Sequence, residues 1–206
     1  MNISYAITVC NERKEIEKLI GFLLKNKHPD DEIVVLFDSN NGTNEVENFL
    51  DSISSSISLH KSHFNFHFAQ WKNILNSYCK KDYIFQIDAD ELPAQDLMDS
   101  LHSIIDQGVD VILVPRENTV EGLTKEHINK WGWNVDKMNR VNWPDYQWRI
   151  YRNDPSIKWV NKVHEKLDGF KTFSTIPSGA EYGMLFLHHP KDIQRQEKQN
   201  DLYDRL

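Results

Sequence analysis

The chain has 206 residues, 39% of them hydrophobic, which suits one domain with a buried core. Its 24 basic and 31 acidic residues leave a formal charge of -7, which argues against a broad phosphate-binding surface, so we expect no nucleic-acid partner. No apolar run is long enough to span a bilayer and no signal pattern opens the chain, so we expect no transmembrane segment and a cytoplasmic location. Cys10 and Cys79 are predicted to be buried free thiols.

The first part of the chain alternates strand and helix patterns. Continuous apolar runs predict buried strands at 3–10, 32–37, 83–87 and 109–114. Apolar residues at helical spacing predict helices at 16–24, 44–53, 71–79 and 97–105, the last opened by Pro93. This alternation is typical of an α/β fold with a mostly parallel central sheet and helices on both faces. Ligands of such sheets bind beyond the carboxyl ends of the strands.

After Pro115 the pattern changes. Residues 117–143 are polar, aromatic and weakly periodic, which favours a lid or an acceptor region. Short strands are predicted at 147–151, 158–163 and 184–187, and a charged helix from 191 to the end at 206.

The segment Asp88-Ala89-Asp90-Glu91 follows a predicted buried strand. Carboxylate oxygens are hard ligands, so Asp88 and Asp90 suit Mg²⁺ or Mn²⁺, and such an ion stabilises a diphosphate leaving group. The alternative is an acidic cluster before a helix, where Glu91 would complement the helix dipole.

Other polar residues fall at the same sheet edge. Asp38 ends the second strand, where it either binds a nucleobase or ribose or caps the next helix. His188 follows an apolar run and is either a metal or diphosphate ligand or a structural histidine. With His189 beside it, one of the two points inward whichever way the strand faces.

Two carboxylates are candidates for a general base near the aromatic region. Glu165 follows Val163 and His164, and Asp145 lies between Trp143 and Trp148. Either could instead be a surface ion-pair partner. Lys72 and Arg149 are candidates for neutralising phosphate charge, or lie on solvated faces.

Four segments in this order resemble the family-two glycosyltransferases of GT-A fold: residues 7–12, 38–43, 69–73 and 87–91. The branch with a later Val-His-Glu and a terminal strand ending in His is matched by residues 163–165 and His188. The resemblance implies one GT-A domain over 1–206, with a nucleotide-sugar-binding half at 1–115. The acceptor-side half at 116–206 carries a small β region and the C-terminal helix.

The resemblance also implies roles for individual residues. Asp88 would serve the ribose, Asp90 and His188 a Mn²⁺ or Mg²⁺ ion, and Glu165, with Asp145 second, would be the base of an inverting transfer. Lys72 stands where the family usually has Arg, which puts bidentate diphosphate contact in doubt. The nucleoside, usually uridine, would be held by the turn residues Thr8, Asn11, Glu12 and Asp38.

The leading hypothesis is therefore a metal-dependent glycosyltransferase that moves a sugar from a UDP-sugar to a hydroxyl of a glycan or glycoprotein acceptor. The alternative is a noncatalytic carbohydrate- or nucleotide-binding module of the same fold. A sugar nucleotidyltransferase is disfavoured because no glycine-rich loop follows the first strand. A two-Asp phosphatase is disfavoured because Leu92 and Pro93 follow the acidic motif. The size and charged end also resemble amino-terminal glycosyltransferase domains of larger proteins, including some from large algal viruses.

Overall fold

The computed structural model describes residues 1–203, with side chains except at 199 and 201–203. The predicted C-terminal helix extends to 206, and its last three residues lie outside this described part. The strands are β1 (Ile3–Val9), β2 (Glu32–Asp38), β3 (Ser58–Ser62), β4 (Tyr83–Asp88), β5 (Leu92–Pro93), β6 (Val111–Glu121), β7 (Val141–Arg152), β8 (Lys158–Val160), β9 (Lys166–Asp168), β10 (Phe173–Thr175) and β11 (Leu187–Asp192). The helices are α1 (Arg13–Asn26), α2 (Asn44–Ser52), α3 (Phe68–Asn76), α4 (Gln95–Ile105), α5 (Lys125–Trp131) and α6 (Ile193–Tyr203).

Within residues 1–203, nine strands form one sheet in the order β3-β2-β1-β4-β7-β6-β11-β5, with β10 pairing β6 as well. The pairs β2–β3, β1–β2, β1–β4, β6–β11 and β6–β10 are parallel. β7 is antiparallel to both β4 and β6, and β5 is antiparallel to β11. The predicted α/β fold with a mostly parallel sheet is confirmed.

The sheet separates two hydrophobic cores because successive side chains of a strand point to opposite faces. On one face, Tyr83, Phe85 and Ile87 of β4 pack with buried residues of α1, α2 and α4. On the other face, Ile84 packs with α3 and with Trp159 of the small β8–β9 pair. Helices therefore cover both faces, as the continuous apolar strands predict.

The second half differs most from the predicted elements. β6 continues past Pro115 to Glu121, and β7 runs for 12 residues from Val141 rather than for the five predicted from 147. β6 therefore crosses residue 115, and strands of both predicted halves share one sheet. β7 was hard to locate because its amino-terminal part is only partly buried, and its apolar pattern begins late.

The last strand also lies later in the chain than the apolar run predicts. β11 begins at Leu187, so His188 and His189 are inside it rather than after it. Pro93 pairs with Leu187 in β5 instead of opening a helix. α4 begins two residues later, at Gln95. The hydrogen-bonded ladder, rather than hydrophobicity, extends this strand through polar residues.

The β8–β9 pair depends on a close backbone approach at Gly169. This residue has a φ of +84°, and a Cβ atom there would lie 1.9 Å from the Ser156 carbonyl oxygen. Only glycine fits both the left-handed backbone and the space. Gly169 lies at the open end of this hairpin, and Glu165 lies in the connection between the two strands, directly before β9.

We expect Gly169→Ala to lower the free energy of unfolding by about 1–3 kcal/mol, because the backbone must shift to relieve the overlap. The matched control is Gly21→Ala, in the exposed interior of α1, where a Cβ atom meets nothing within 4 Å. That change should raise stability by about 0.5–1 kcal/mol. Urea denaturation of both variants measures the difference, and equal effects would contradict the close-approach argument.

Candidate active site

A cavity of about 910 Å³ opens at the carboxyl ends of β1, β2 and β4. Its lining includes nearly every residue that the sequence assigns to the site: Thr8, Asn11, Glu12, Asp38, Lys72, Asp88, Asp90, Asp145 and Glu165. The parallel strands bring these distant segments together because their carboxyl ends meet at one edge of the sheet. The structure therefore assembles residues from both halves of the chain around one space.

A buried arginine holds two acidic side chains at the end of β4. Arg149 of β7 has a side chain that is only 3% exposed, and its Nη2 atom donates to Asp88 Oδ2 at 2.6 Å and to Glu91 Oε1 at 2.5 Å. Burial alone would raise the pKa of Asp88, but the charges of Arg149, Lys72 and Arg116 outweigh it and hold the pKa well below its usual range. Asp88 is therefore a carboxylate at neutral pH.

Glu91 belongs to this internal network rather than to the cavity wall. Its side chain is fully buried and also receives Arg116 Nη1 at 3.1 Å, while its second oxygen accepts from the Asp88 backbone N–H. α4 begins four residues later, so Glu91 lies before the first helical turn, beyond the range over which a helix dipole acts most strongly. Glu91 is bound by two arginines and fixes the turn that presents Asp90.

Asp145 is held on all sides. Its Oδ2 atom accepts from Arg116 Nε at 3.0 Å, from Arg116 Nη2 at 2.7 Å and from Asn118 Nδ2 at 2.8 Å, and Oδ1 accepts from Gln147. Burial opposes its charge, but Arg116 and these hydrogen bonds lower the pKa of the carboxyl below its usual value. A carboxylate stabilised in this way has little tendency to accept a proton.

Asp90 faces three basic side chains from the C-terminal segment. Its Oδ2 atom lies 3.3 Å from His189 Nε2, 3.9 Å from Lys191 Nζ and 3.3 Å from Arg195 Nη2. Burial would raise the pKa of Asp90, but these neighbours lower it well below the usual range. β11 and α6 therefore bring positive charge to the acidic motif, and Arg195 was not found from the sequence because its helix shows only a polar, charged pattern.

The structure corrects the position of the histidine at this edge. His188 points away from the cavity and pairs with Glu117 Oε2 at 2.8 Å, whereas its neighbour His189 is buried beside Asp90. Consecutive residues of a strand face opposite sides, so only one of the two can reach the site. In β11 that residue is His189, since His188 turns the other way and pairs with Glu117.

The hydrogen bonds around His189 show that its Nδ1 atom carries a proton. Asn118 donates its Nδ2–H to Asp145, so its Oδ1 atom is the one that faces His189 Nδ1, at 2.6 Å. An amide oxygen can only accept, so Nδ1 carries the proton and donates. Nε2 faces Asp90 Oδ2 at 3.3 Å, and a divalent ion bound between these two atoms would take the place of a proton on Nε2.

This arrangement tests whether the residues fit a divalent ion. The Asp90 carboxylate and His189 Nε2 lie side by side at 3.3 Å, and a carboxylate with an imidazole is a donor set that Mn²⁺ or Mg²⁺ accepts. Among residues 1–203, no group of three or more His, Cys, Asp or Glu side chains forms a metal cage. The protein side therefore fits as a partial site, with the remaining positions open to another ligand.

Two carboxylates at the cavity wall, Asp38 and Glu12, accept hydrogen bonds from the turns in which they lie. Asp38 is 3% exposed; its Oδ1 atom accepts from the backbone N–H groups of Asn40 and Phe64, and its Oδ2 atom from Asn41 Nδ2 at 2.8 Å. Glu12 is similar, since its Oε2 atom accepts from the backbone N–H groups of Cys10 and Asn11. Both carboxylates shape the cavity wall by holding turns, and Thr8 lies beside them on β1.

Lys72 and Glu165 meet on the opposite wall. Lys72 Nζ lies 2.5 Å from Glu165 Oε1, and the side chains are 7% and 17% exposed. The ammonium group also stands 4.4 Å above the centre of the Trp159 ring. The structure thus pairs the predicted phosphate ligand with the predicted base.

Aromatic side chains complete this wall. Phe64 contacts Phe66, Phe68 and Trp71 at ring-centroid distances of 4.9–5.6 Å. Phe66 is 44% exposed. Its φ of +59°, like the +51° of His164, lies in the left-handed region that bulky residues rarely adopt. Such residues cluster at functional sites, and here both line the cavity, with His164 directly before Glu165.

Comparison with known proteins agrees with this geometry. The family model described as Glycosyl transferase family 2 matches residues 4–179. No match came from the curated proteins. Among solved structures, residues 1–349 of S. aureus TarS in complex with UDP-GlcNAc superpose with a TM-score of 0.63 at 17% identity, covering 93% of this chain and 59% of that one.

The same region of TarS in complex with UDP gives a TM-score of 0.62 at 16% identity, with 92% and 60% coverage. S. aureus TarS in a longer chain gives 0.60 at 15% identity, with 92% and 37% coverage. This chain therefore spans about 60% of the length of the TarS 1–349 structures. Across residues 1–203, no helix combines the length and apolar character needed to cross a membrane.

Arg149 is the residue on which the acidic motif depends, and its removal should destabilise the protein. We expect Arg149→Ala to lower the free energy of unfolding by about 3–5 kcal/mol, because Glu91 would remain buried with less compensating charge. The control is Arg13→Ala, which breaks the partly exposed pair with Glu17 and should cost about 1 kcal/mol or less. Chemical denaturation at pH 7 measures the free energy of unfolding of both variants. Similar losses would contradict the argument that Arg149 compensates a buried charge.

Proposed function

Because the chain belongs to glycosyl transferase family 2, we propose that it transfers a sugar from a UDP-sugar to a hydroxyl group of an acceptor. The family resemblance read from the sequence is confirmed, as is the fold. The observation that carries the proposal is the convergence of Asp88, Asp90, His189 and Glu165 on one cavity. The complexes of TarS with UDP-GlcNAc and with UDP support a uridine diphosphate sugar as donor.

On the donor side, the nucleoside lies between the turns after β1 and β2. Asp38 is saturated by protein donors, so it holds the turn, and the neighbouring Asn41 side chain and backbone groups meet the base. Thr8, Asn11 and Glu12 form the facing wall. Asp88 is fixed by Arg149 and serves the ribose. Its fixed orientation lets it accept hydrogen bonds without reorganising.

Asp90 and His189 would hold Mn²⁺ or Mg²⁺ at the end of the cavity where the donor diphosphate binds. The ion supplies neutralisation of the charge that develops on the leaving diphosphate. Asn118 keeps His189 in the tautomer that the ion requires, and Asp145 keeps Asn118 oriented. Lys191 and Arg195 add positive charge at the same place. Asp145 is thereby a positioning residue rather than the base.

On the acceptor side, Glu165 is the base. It removes the proton of the acceptor hydroxyl while that oxygen attacks the anomeric carbon, and the bond to the diphosphate breaks on the opposite side. Direct displacement inverts the anomeric configuration. The exposed ring of Phe66 lines the cavity and suits the apolar face of an acceptor sugar, so a glycan or glycoprotein hydroxyl is the proposed acceptor.

The two adjacent histidines provide a matched test. We expect His189→Ala to lower kcat/KM for sugar transfer by about 100-fold or more and to weaken Mn²⁺-dependent stabilisation by UDP, because a metal ligand is lost. His188→Ala removes only a partly exposed pair with Glu117 and should change kcat/KM by less than about twofold.

The assay measures UDP release from a panel of UDP-sugars, including UDP-GlcNAc, with Mn²⁺ or with excess chelator. Product anomers resolved by NMR report inversion. Unchanged turnover in chelator would remove the metal from the proposal, and equal effects of the two histidine changes would remove the assignment of His189. Sugar binding without UDP binding would instead favour a noncatalytic module.

A further inference from the structure

Two side chains with different assigned roles are bound to each other. Lys72 is assigned to the donor diphosphate and Glu165 to the acceptor hydroxyl, yet their charged groups are in contact at 2.5 Å. The pair is largely shielded from water, so it is a stronger interaction than an exposed salt bridge. It links the donor wall of the cavity, on α3, to the acceptor wall before β9.

The contact occupies one of the two carboxylate oxygens of Glu165. Lys72 donates a charged hydrogen bond to Oε1, and hydrogen bonds of this kind are among the stronger ones in proteins. A general base must come within hydrogen-bond reach of the hydroxyl group whose proton it removes, so Lys72 competes with the acceptor for this oxygen. Glu165 is therefore less accessible to an acceptor hydroxyl while the pair is intact.

The Lys72 side chain can also reach toward the part of the cavity beside Asp88. It lines the same cavity as Asp88, where the donor binds, and its charge acts on the Asp88 carboxyl. The Trp159 ring lies 4.4 Å from the ammonium group and attracts it without carrying a negative charge. A diphosphate that enters beside Asp88 brings further negative charge within reach of Lys72, in competition with its direct partner Glu165.

We propose that Lys72 moves from Glu165 to the donor diphosphate when the UDP-sugar binds, so that the base is released only when the donor is in place. This inference rests on the proposed function and makes Lys72 a positioning residue for Glu165. In the transfer step, the acceptor proton passes to Glu165 as the new carbon–oxygen bond forms. The electron pair of the broken bond stays on the diphosphate, whose added charge Lys72 neutralises.

The residue type suits this exchange. Lysine is a compact charge on a flexible stem and can change partners by rotating its side chain. Arginine, which the family usually has at this position, presents a planar fork that holds one carboxylate or phosphate bidentately. The departure from the family pattern at Lys72 thus has a physical consequence, since it permits an exchange between two anions.

The test is a double-mutant cycle on nucleotide binding, measured by calorimetry with UDP and with uridine in the presence of Mn²⁺. We expect Glu165→Gln to abolish transfer yet lower the Kd for UDP about fivefold, since Lys72 no longer has a competing partner. Lys72→Met should raise the Kd for UDP about tenfold, and in this background Glu165→Gln should no longer strengthen binding. Uridine, which has no phosphate, should bind all four proteins alike.

Controls separate this exchange from general electrostatics and from misfolding. Lys61→Met removes a lysine whose partners are Glu47 and Asp51, outside the cavity, and should leave the Kd for UDP unchanged. Lys72→Gln replaces Lys72→Met if thermal unfolding shows that the methionine variant is not folded. The exchange is overturned if folded Glu165→Gln binds UDP no more tightly than the unsubstituted protein, or gains equally in the Lys72→Met background. An unsubstituted protein that binds no UDP overturns the proposed function itself.

Discussion

The buried charge of Arg149 is the constraint on which the site depends. β7 inserts antiparallel between β4 and β6, and this places Arg149 directly behind the turn that follows β4. A buried guanidinium needs anionic partners, and Asp88 and Glu91 need a buried cation. Each therefore fixes the others, and the turn with Asp90 at its apex is held in one conformation. The conformation of the acidic motif thus depends on β7, which supplies Arg149, as well as on β4, which the motif follows.

A second chain of contacts extends from this centre. Arg116 joins Glu91 to Asp145, Asp145 orients Asn118, and Asn118 selects the tautomer of His189. Four residues from three segments that are far apart in the sequence thereby fix one imidazole against Asp90. Hydrogen-bond networks of this kind rigidify a site when every member is satisfied. Such rigidity serves a reaction that develops charge, because the dipoles are already oriented.

The sequence predicts those parts of the fold that rest on local pattern. Apolar runs located β1, β2 and β4, and helical spacing located the helices that cover them, because burial on both faces leaves a continuous signal. The amino-terminal part of β7 and the extension of β6 were missed, since their partners are distant and their exposed ends lack periodicity. At the site, residues following local strand signals were found. His189, Arg195 and Asn118 depend on register and on long-range pairing, which no window of sequence contains.

The course of β6 through residue 115 determines how the protein can be divided. A fragment that ended there would expose the edge of β4 and leave Asp88 and Glu91 without Arg149. The strands before residue 115 are therefore not a self-sufficient folding unit, because their buried carboxylates need a cation that comes from β7. The loops at the rim of the cavity, such as the connection between β6 and β7, lie outside this network. A change of sequence there would reshape the opening of the cavity and leave the charged centre in place.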